Sequence, residues 1–297
     1  MSHQFHLLDR HIKHSQRLSA DKIYVITEEV RVKKNVKLTV EDGVTILIQN
    51  GLKPKSRTQR AALIFEKGSK LRAQRLYVKA CTIDFRQTKI PDNGGLWFLG
   101  NFQSAEKDGI HTKVKRKSSQ SSFKADMIAT YYLGRLDPTP STPQLNDIDD
   151  DIDGLSVMGV GPAEWSISEV RSYYSADDGI DLTNSHIRLS RLRIQAPTED
   201  GINLSSSRLE VCRSLKLDVA KTKSKDRDLV DFETDDGASF LILHAQCQLD
   251  LNGVFGDEIA LASKEMPRAN RRANNESNYQ FKGALKSPAL IYSLNED

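Results

Sequence analysis

A shift of 22 residues lays the middle of this chain onto itself. Trp165 meets Ile187 and then Leu209, and Ile167 meets Leu189 and then Val211. Ile180 meets Ile202, and Leu182 meets Leu204. The run Asp177-Asp178-Gly179-Ile180-Asp181-Leu182 meets Glu199-Asp200-Gly201-Ile202-Asn203-Leu204. Looser echoes begin at Asp153, Asp228 and Asp257, so the steps through Asp153, Asp178, Asp200, Asp228 and Asp257 are 25, 22, 28 and 29 residues. Apolar positions fall on apolar positions and polar turns fall on polar turns. That is the pattern of a stacked repeat, whose units bury their apolar faces only against one another.

The period of the pattern within each unit is two. Ile23 and Val25 are followed by Val30 and Val32, then Val36, Leu38 and Val40, then Val44, Ile46 and Ile48. Alternation of this kind marks half-buried strands. Further short strands are expected at Leu76–Val78, Thr82–Phe85, Leu96–Leu99 and Ala289–Leu294. No helical pattern of 10–15 residues separates them, which argues against a doubly wound α/β fold. Three short strands per repeat of about 22 residues predict an all-β chain wound as a right-handed parallel β-helix. An up-and-down barrel would not set Asp-Gly turns in register at one-turn spacing. Alternation then points Ile180 and Leu182 inward and Asp181 outward.

The chain has 297 residues and a mass of 33.4 kDa, enough for one large domain. Residues 1–20 read as an N-terminal cap and residues 21–297 as the repeat domain. Leu8 and Ile12 lie four apart, as on one face of a short capping helix. The histidines His3, His6, His11 and His14 belong to that cap. Residues 102–150 are polar and irregular and read as a long excursion, with one strand at Met127–Leu133. Lys264–Ser277 reads as a polar surface loop. No run of about 18 apolar residues exists, which excludes a membrane-spanning helix. The first residues lack an apolar signal core, so the expectation is a cytoplasmic protein, or an exported one whose leader has been removed. Cys81, Cys212 and Cys247 make no closed disulfide framework and read as small buried or edge residues.

Net charge is +3, but charge is segregated. Residues 1–125 hold 25 Lys/Arg against 11 Asp/Glu, a net of +14; residues 147–204 hold 4 against 12, a net of −8. Such asymmetry points to charged partners. The basic run Lys113–Lys117 lacks interleaved aromatics, which argues against nucleic acid. P-loop, dinucleotide and nucleophile-elbow patterns are missing, and Gly159-Val160-Gly161 reads as a turn.

Leu38–Gly51, Ala62–Ala73 and Gly94–Gly100 resemble the opening of a bacterial surface-protein family of parallel β-helix lipoproteins, related in fold to pectate lyases. Ile152–Gly161 and Ile167–Leu182 are similar to that family's Gly-Val-Gly turn and Asp-Asp-Gly repeat. The likeness covers about residues 21–101 and 150–205 and implies the β-helix fold and an exported protein. The lipoprotein leader with its lipidated cysteine is not seen in this sequence.

Equivalent residues of adjacent turns in such a stack lie about 4.8 Å apart. That brings Asp178 onto Asp200 and Asp177 onto Glu199, with Asp153 and Asp228 extending the column. Two like charges at about 5 Å repel by roughly 0.8 kcal/mol in water and 3 kcal/mol at an effective dielectric of 20. A bound cation, a shared proton or a nearby arginine would relieve them. Oxygen ligands without His or Cys favour Ca²⁺. The same shift stacks Arg171 on Arg193 and Arg191 on Arg213. Arg171, Arg191 and Arg193, with Asp181, Asn203 and Asp231, are candidate ligand-binding positions. The plainest reading of the Asp-Gly pairs is turn formation. His186 and His244 stand alone in the sequence. The expected function is a non-enzymatic binding or scaffold protein that recognises an anionic glycan or a protein partner along its lateral face, with no cofactor required and Ca²⁺ as an optional aid. The alternative is a uronate lyase or glycoside hydrolase working through the aspartate column, with two carboxylates at the separation such chemistry needs.

Overall fold

The computed structural model describes residues 4–49, 61–90, 94–102, 106–107, 110–111, 121–135, 154–219, 227–234, 237–254, 259–261 and 279–293. The described residues are all-β, without a helix. No helix is long and apolar enough to cross a membrane.

Most strands pair in parallel, three places along the chain in the N-terminal part and two places along in most of the rest. One 16-stranded sheet and one 8-stranded sheet result. The narrower sheet runs from His11–Ile12 through Glu29–Val32, Ala62–Phe65, Leu96–Leu99, Leu155–Met158, Asp181–Thr183 and Asn203–Ser205 to Asp231–Glu233. The wider sheet contains two lines of pairing. Its long strands Ser122–Tyr131, Trp165–Tyr173, His186–Gln195 and Arg208–Asp218 join both. Ser122–Lys124 pair with Lys70–Arg72, whereas Met127–Tyr131 pair with Arg75–Lys79. Each pass of the chain therefore adds one strand to each of three lines.

The registers reproduce the sequence repeat. Arg171 pairs with Arg193 and Asp181 with Asn203, a step of 22, and Ser156 with Asp181 is a step of 25. Asn203 with Asp231 is a step of 28. One step differs from expectation. Arg191 lies opposite Ser214 rather than Arg213, because the Arg208–Asp218 strand carries an extra residue in a bulge beyond Leu189.

The strands expected around Ile23–Val25, Val30–Val32, Val36–Val40, Val44–Ile48, Leu76–Val78 and Leu96–Leu99 are present, at Ile23–Ile26, Glu29–Val32, Lys37–Val40, Val44–Gln49, Arg75–Cys81 and Leu96–Leu99. The short helix expected in the N-terminal segment is overturned. Residues 5–18 form three short strands, Phe5–Leu7, His11–Ile12 and Gln16–Leu18, each pairing in parallel with the next pass. Alternating burial and free backbone groups on the neighbouring strands outweigh the weak i, i+4 pattern. Thr82–Phe85 is a turn rather than a strand, with Phe85 at φ 61°. Ile259–Leu261 is not a further parallel unit: it pairs antiparallel with Ala289–Ser293, which in turn pairs antiparallel with Phe240–Leu243. The strand at Ser122–Tyr131 begins five residues before the expected one. Lys113–Lys117, Lys264–Ser277 and His3 lie outside the described residues.

Ile180, Ile202, Leu182 and Leu204 are fully buried, as are Ile187, Leu189, Leu209 and Val211. One stretch of the core is aromatic. Phe98 stacks on Phe65 with ring centroids 5.2 Å apart, and it meets Phe123 at 4.9 Å and Trp165 at 5.4 Å edge-on. At one corner Ser207 Oγ accepts the Ser185 N–H at 2.9 Å, and Ser239 Oγ accepts the Ser207 N–H at 3.0 Å. These hydroxyls satisfy the backbone groups that the turns leave unpaired. Cys81 and Cys247 are buried, and burial pushes their thiols up to about 12 and about 11.

Candidate functional site

The acidic repeat lies in the turns that enter the narrower sheet. After the Trp165–Tyr173 strand the chain bends at Tyr174, φ 59°, and runs through Asp177 and Asp178 into Asp181–Thr183. Asp178 Oδ1 accepts the backbone N–H of Asp200 at 2.9 Å. Asp200 Oδ1 accepts the N–H of Asp228 at 2.5 Å. Each aspartate thus ties its own turn to the next, a role beyond forming its own turn. The glycines permit this approach. A Cβ on Gly179 would lie 2.2 Å from Ile194 Cγ2 and 2.5 Å from the Gly201 carbonyl oxygen.

Stacking carboxylates this closely has an electrostatic cost. Burial pushes Asp200 up to about 8, reinforced by the charges of Asp231, Asp228 and Glu199 against the opposing Asp228 N–H. Asp231 is also raised by burial, and the Phe232 N–H only partly offsets this. Arg227 supplies the counter-charge. Burial lowers its pKa, while Asp200 and Glu199 act in the opposite direction. The relief is therefore both a held proton and an arginine. Carboxylate oxygens of Asp177, Asp178 and Glu199 lie within 4.8 Å of one another, the first two buried and the third exposed. Asp200 and Asp228 are not part of that group, and Asp153 lies outside the described residues.

Asp181 is a correction. It alternates with Ile180 and Leu182, yet it is only 6% exposed. Thr183 Oγ1 donates toward its carboxylate at 3.3 and 3.4 Å. Ser156, Asp181, Asn203 and Asp231 occupy one register position in consecutive strands, so Asp181 and Asp231 are separated by the Asn203 strand.

The arginines stand elsewhere. Arg171, Arg191 and Arg193 sit on the Trp165–Tyr173 and His186–Gln195 strands of the wider sheet, away from the aspartate turns. Glu169 binds two of them, Arg171 Nε at 2.5 Å and Arg191 Nη1 at 3.5 Å. Arg193 lies over the Tyr173 ring, 5.4 Å from its centroid, and makes no ion pair among the described residues. Tyr131 and Tyr173 stack at 4.8 Å, and so do Tyr132 and Tyr174. Lys79 Nζ lies 5.2 Å from the Tyr131 centroid and 5.7 Å from that of Tyr77, again without an ion pair among the described residues. The result is a polar, aromatic strip crossing several strands.

Sequence reasoning missed Arg227 and the tyrosines. Tyr131-Tyr132 and Tyr173-Tyr174 are matching pairs 42 residues apart, a visible signal that the 22-residue shift skips. It also treated His186 and His244 as isolated. They bracket one carboxylate, with Nε2 atoms 3.2 and 3.3 Å from Glu210.

Comparison with family models, with curated proteins and with solved structures found no match.

Proposed function

We propose that the chain is a right-handed parallel β-helix, akin to the bacterial surface family it resembles, and that it binds an anionic glycan along the outer face of its wider sheet. Three lines of parallel pairing that each gain one strand per pass support the winding. The right hand is the sense that crossover connections between parallel strands take in nearly every case. The observation that carries the binding reading is the strip itself. Arg193 and Lys79 are cations with no ion pair among the described residues, and they lie against stacked tyrosines. Tyrosine faces receive the apolar faces of sugar rings, and guanidinium pairs with carboxylate or sulfate in a two-pronged geometry.

The test is titration with polygalacturonate and with uncharged dextran. The polyanion is expected to bind, more weakly as salt rises, and dextran is not. A Tyr173→Ala, Arg193→Ala double variant is expected to lose about tenfold or more in affinity. Binding that this variant leaves intact, or equal binding of dextran, sinks the reading.

Ca²⁺ enters through Asp177, Asp178 and Glu199, three oxygen donors that suit a hard divalent ion. Melting in millimolar Ca²⁺ is expected to exceed melting in EDTA by a few degrees. Tenfold excess over Kd corresponds to about 1.4 kcal/mol. Asp178→Asn keeps the oxygen that accepts the Asp200 N–H but removes a ligand charge, so it should abolish the difference. Identical melting with and without Ca²⁺ leaves these residues as turn formers.

A second reading, a lyase or glycoside hydrolase, has its own support. Asp200 holds its proton near neutral pH, the state a general acid requires.

A further inference from the structure

Beside the Arg171–Arg193 column lies an open pocket of about 550 Å³. It falls within the size range of small-ligand sites, but its lining is charged rather than apolar. Asp42, Arg75, Asp126, Glu169, Arg171 and Arg191 all reach its wall, with Gln74, Met127 and Ser168 between them.

The ion pairs leave an imbalance. Arg75 and Asp42 satisfy each other completely: Nε to Oδ1 is 2.7 Å and Nη2 to Oδ2 is 2.5 Å. Glu169 is a single carboxylate shared by Arg171 at 2.5 Å and Arg191 at 3.5 Å. One positive charge is therefore in excess on that wall. Asp126 makes no ion pair among the described residues and is exposed. One negative charge is therefore also in excess among the lining residues. Met127 pairs with Glu169, and Glu169 with Arg191, so Asp126 and Arg191 stand two strands apart, about 10 Å along the sheet. A pocket with one surplus charge of each sign matches a ligand that carries both signs.

We infer that this pocket binds a zwitterionic sugar unit: a ring bearing a free ammonium, which Asp126 accepts, and a sulfate or carboxylate, which Arg191 and Arg171 clamp. The inference rests on the lateral-face reading, because the pocket shares Arg171 with that face. It narrows the ligand from any polyanion to one with an unblocked amine. A fully N-acetylated or purely uronic polymer satisfies Arg191 but leaves Asp126 facing no cation.

The experiment is calorimetric titration of the full chain with three monosaccharides: glucosamine 6-sulfate, N-acetylglucosamine 6-sulfate and glucosamine. Glucosamine 6-sulfate is expected to bind about tenfold or more tightly than either singly charged sugar, the effect of one charge-assisted hydrogen bond. Asp126→Asn should erase its advantage over the N-acetylated sugar, and Arg191→Gln its advantage over glucosamine. Both side chains are exposed, and unchanged melting shows that the variants fold. Equal binding of the acetylated and free amines overturns the inference. So does failure of both sulfated sugars to bind at millimolar concentration. Polygalacturonate run alongside separates the two proposals. If it binds while glucosamine 6-sulfate does not, the pocket proposal falls and the strip stands. If glucosamine 6-sulfate binds with the expected selectivity and polygalacturonate does not, the strip falls and the pocket stands.

Discussion

Replacing Phe98 by alanine is expected to remove about 3–5 kcal/mol of stability, the usual cost of deleting a fully buried aromatic ring. Phe98 is 0% exposed and touches rings on both sides, Phe65 from the preceding pass and Phe123 and Trp165 from its own and the following one. Parallel pairing on either side fixes the backbone of the Leu96–Leu99 strand, so the walls can close little of the void. Phe98→Leu keeps much of the volume and should lose markedly less. Denaturant unfolding of both variants measures the difference. A loss below about 1 kcal/mol for the alanine variant shows that the ring cluster is not what holds these passes together.

Asp200→Asn is expected to change the pH dependence of stability more than its size. Its folded pKa, about 8, lies above the ordinary 3.8. The proton is bound more tightly in the folded state, so the contribution of this group is fully present below about pH 4 and is lost as pH rises to about 8. Each pH unit of that window is worth up to about 1.4 kcal/mol. Asparagine keeps an oxygen to accept the Asp228 N–H and has no charge to bury. The variant should therefore gain on the wild type by a few kcal/mol between about pH 5 and pH 8. Parallel melting curves across that window contradict a buried, protonated Asp200. The same variant bears on the enzyme reading, in which loss of Asp200 abolishes any glycan cleavage.

Much of the architecture was legible because a repeat constrains every copy at once. Leu182 and Leu204, like Ile187 and Leu209, had to share one environment, and the registers put them there. The bulge beyond Leu189 was not legible, since one extra residue in the Arg208–Asp218 strand changes partners without altering the apolar pattern. That bulge is why Arg191 faces Ser214. The N-terminal strands were misread for a related reason. Leu8 and Ile12 fit a helix face locally, whereas unpaired backbone groups on the next pass decide their state.

The sequence by itself determined the strand period, the spacing of the Asp-Gly turns and the stacking of Arg171 on Arg193, because these follow from alternation and repeat length alone. Only the tertiary structure decided where charges meet. Arg227 feels the charges of Asp200 and Glu199, while the predicted arginines lie on another sheet with Glu169 and Tyr173. His186 and His244, 58 residues apart, share Glu210. Backbone hydrogen bonds repeat and can be read from period. Long side chains at corners and excursions are positioned by packing between passes of unequal length, and no periodicity encodes that.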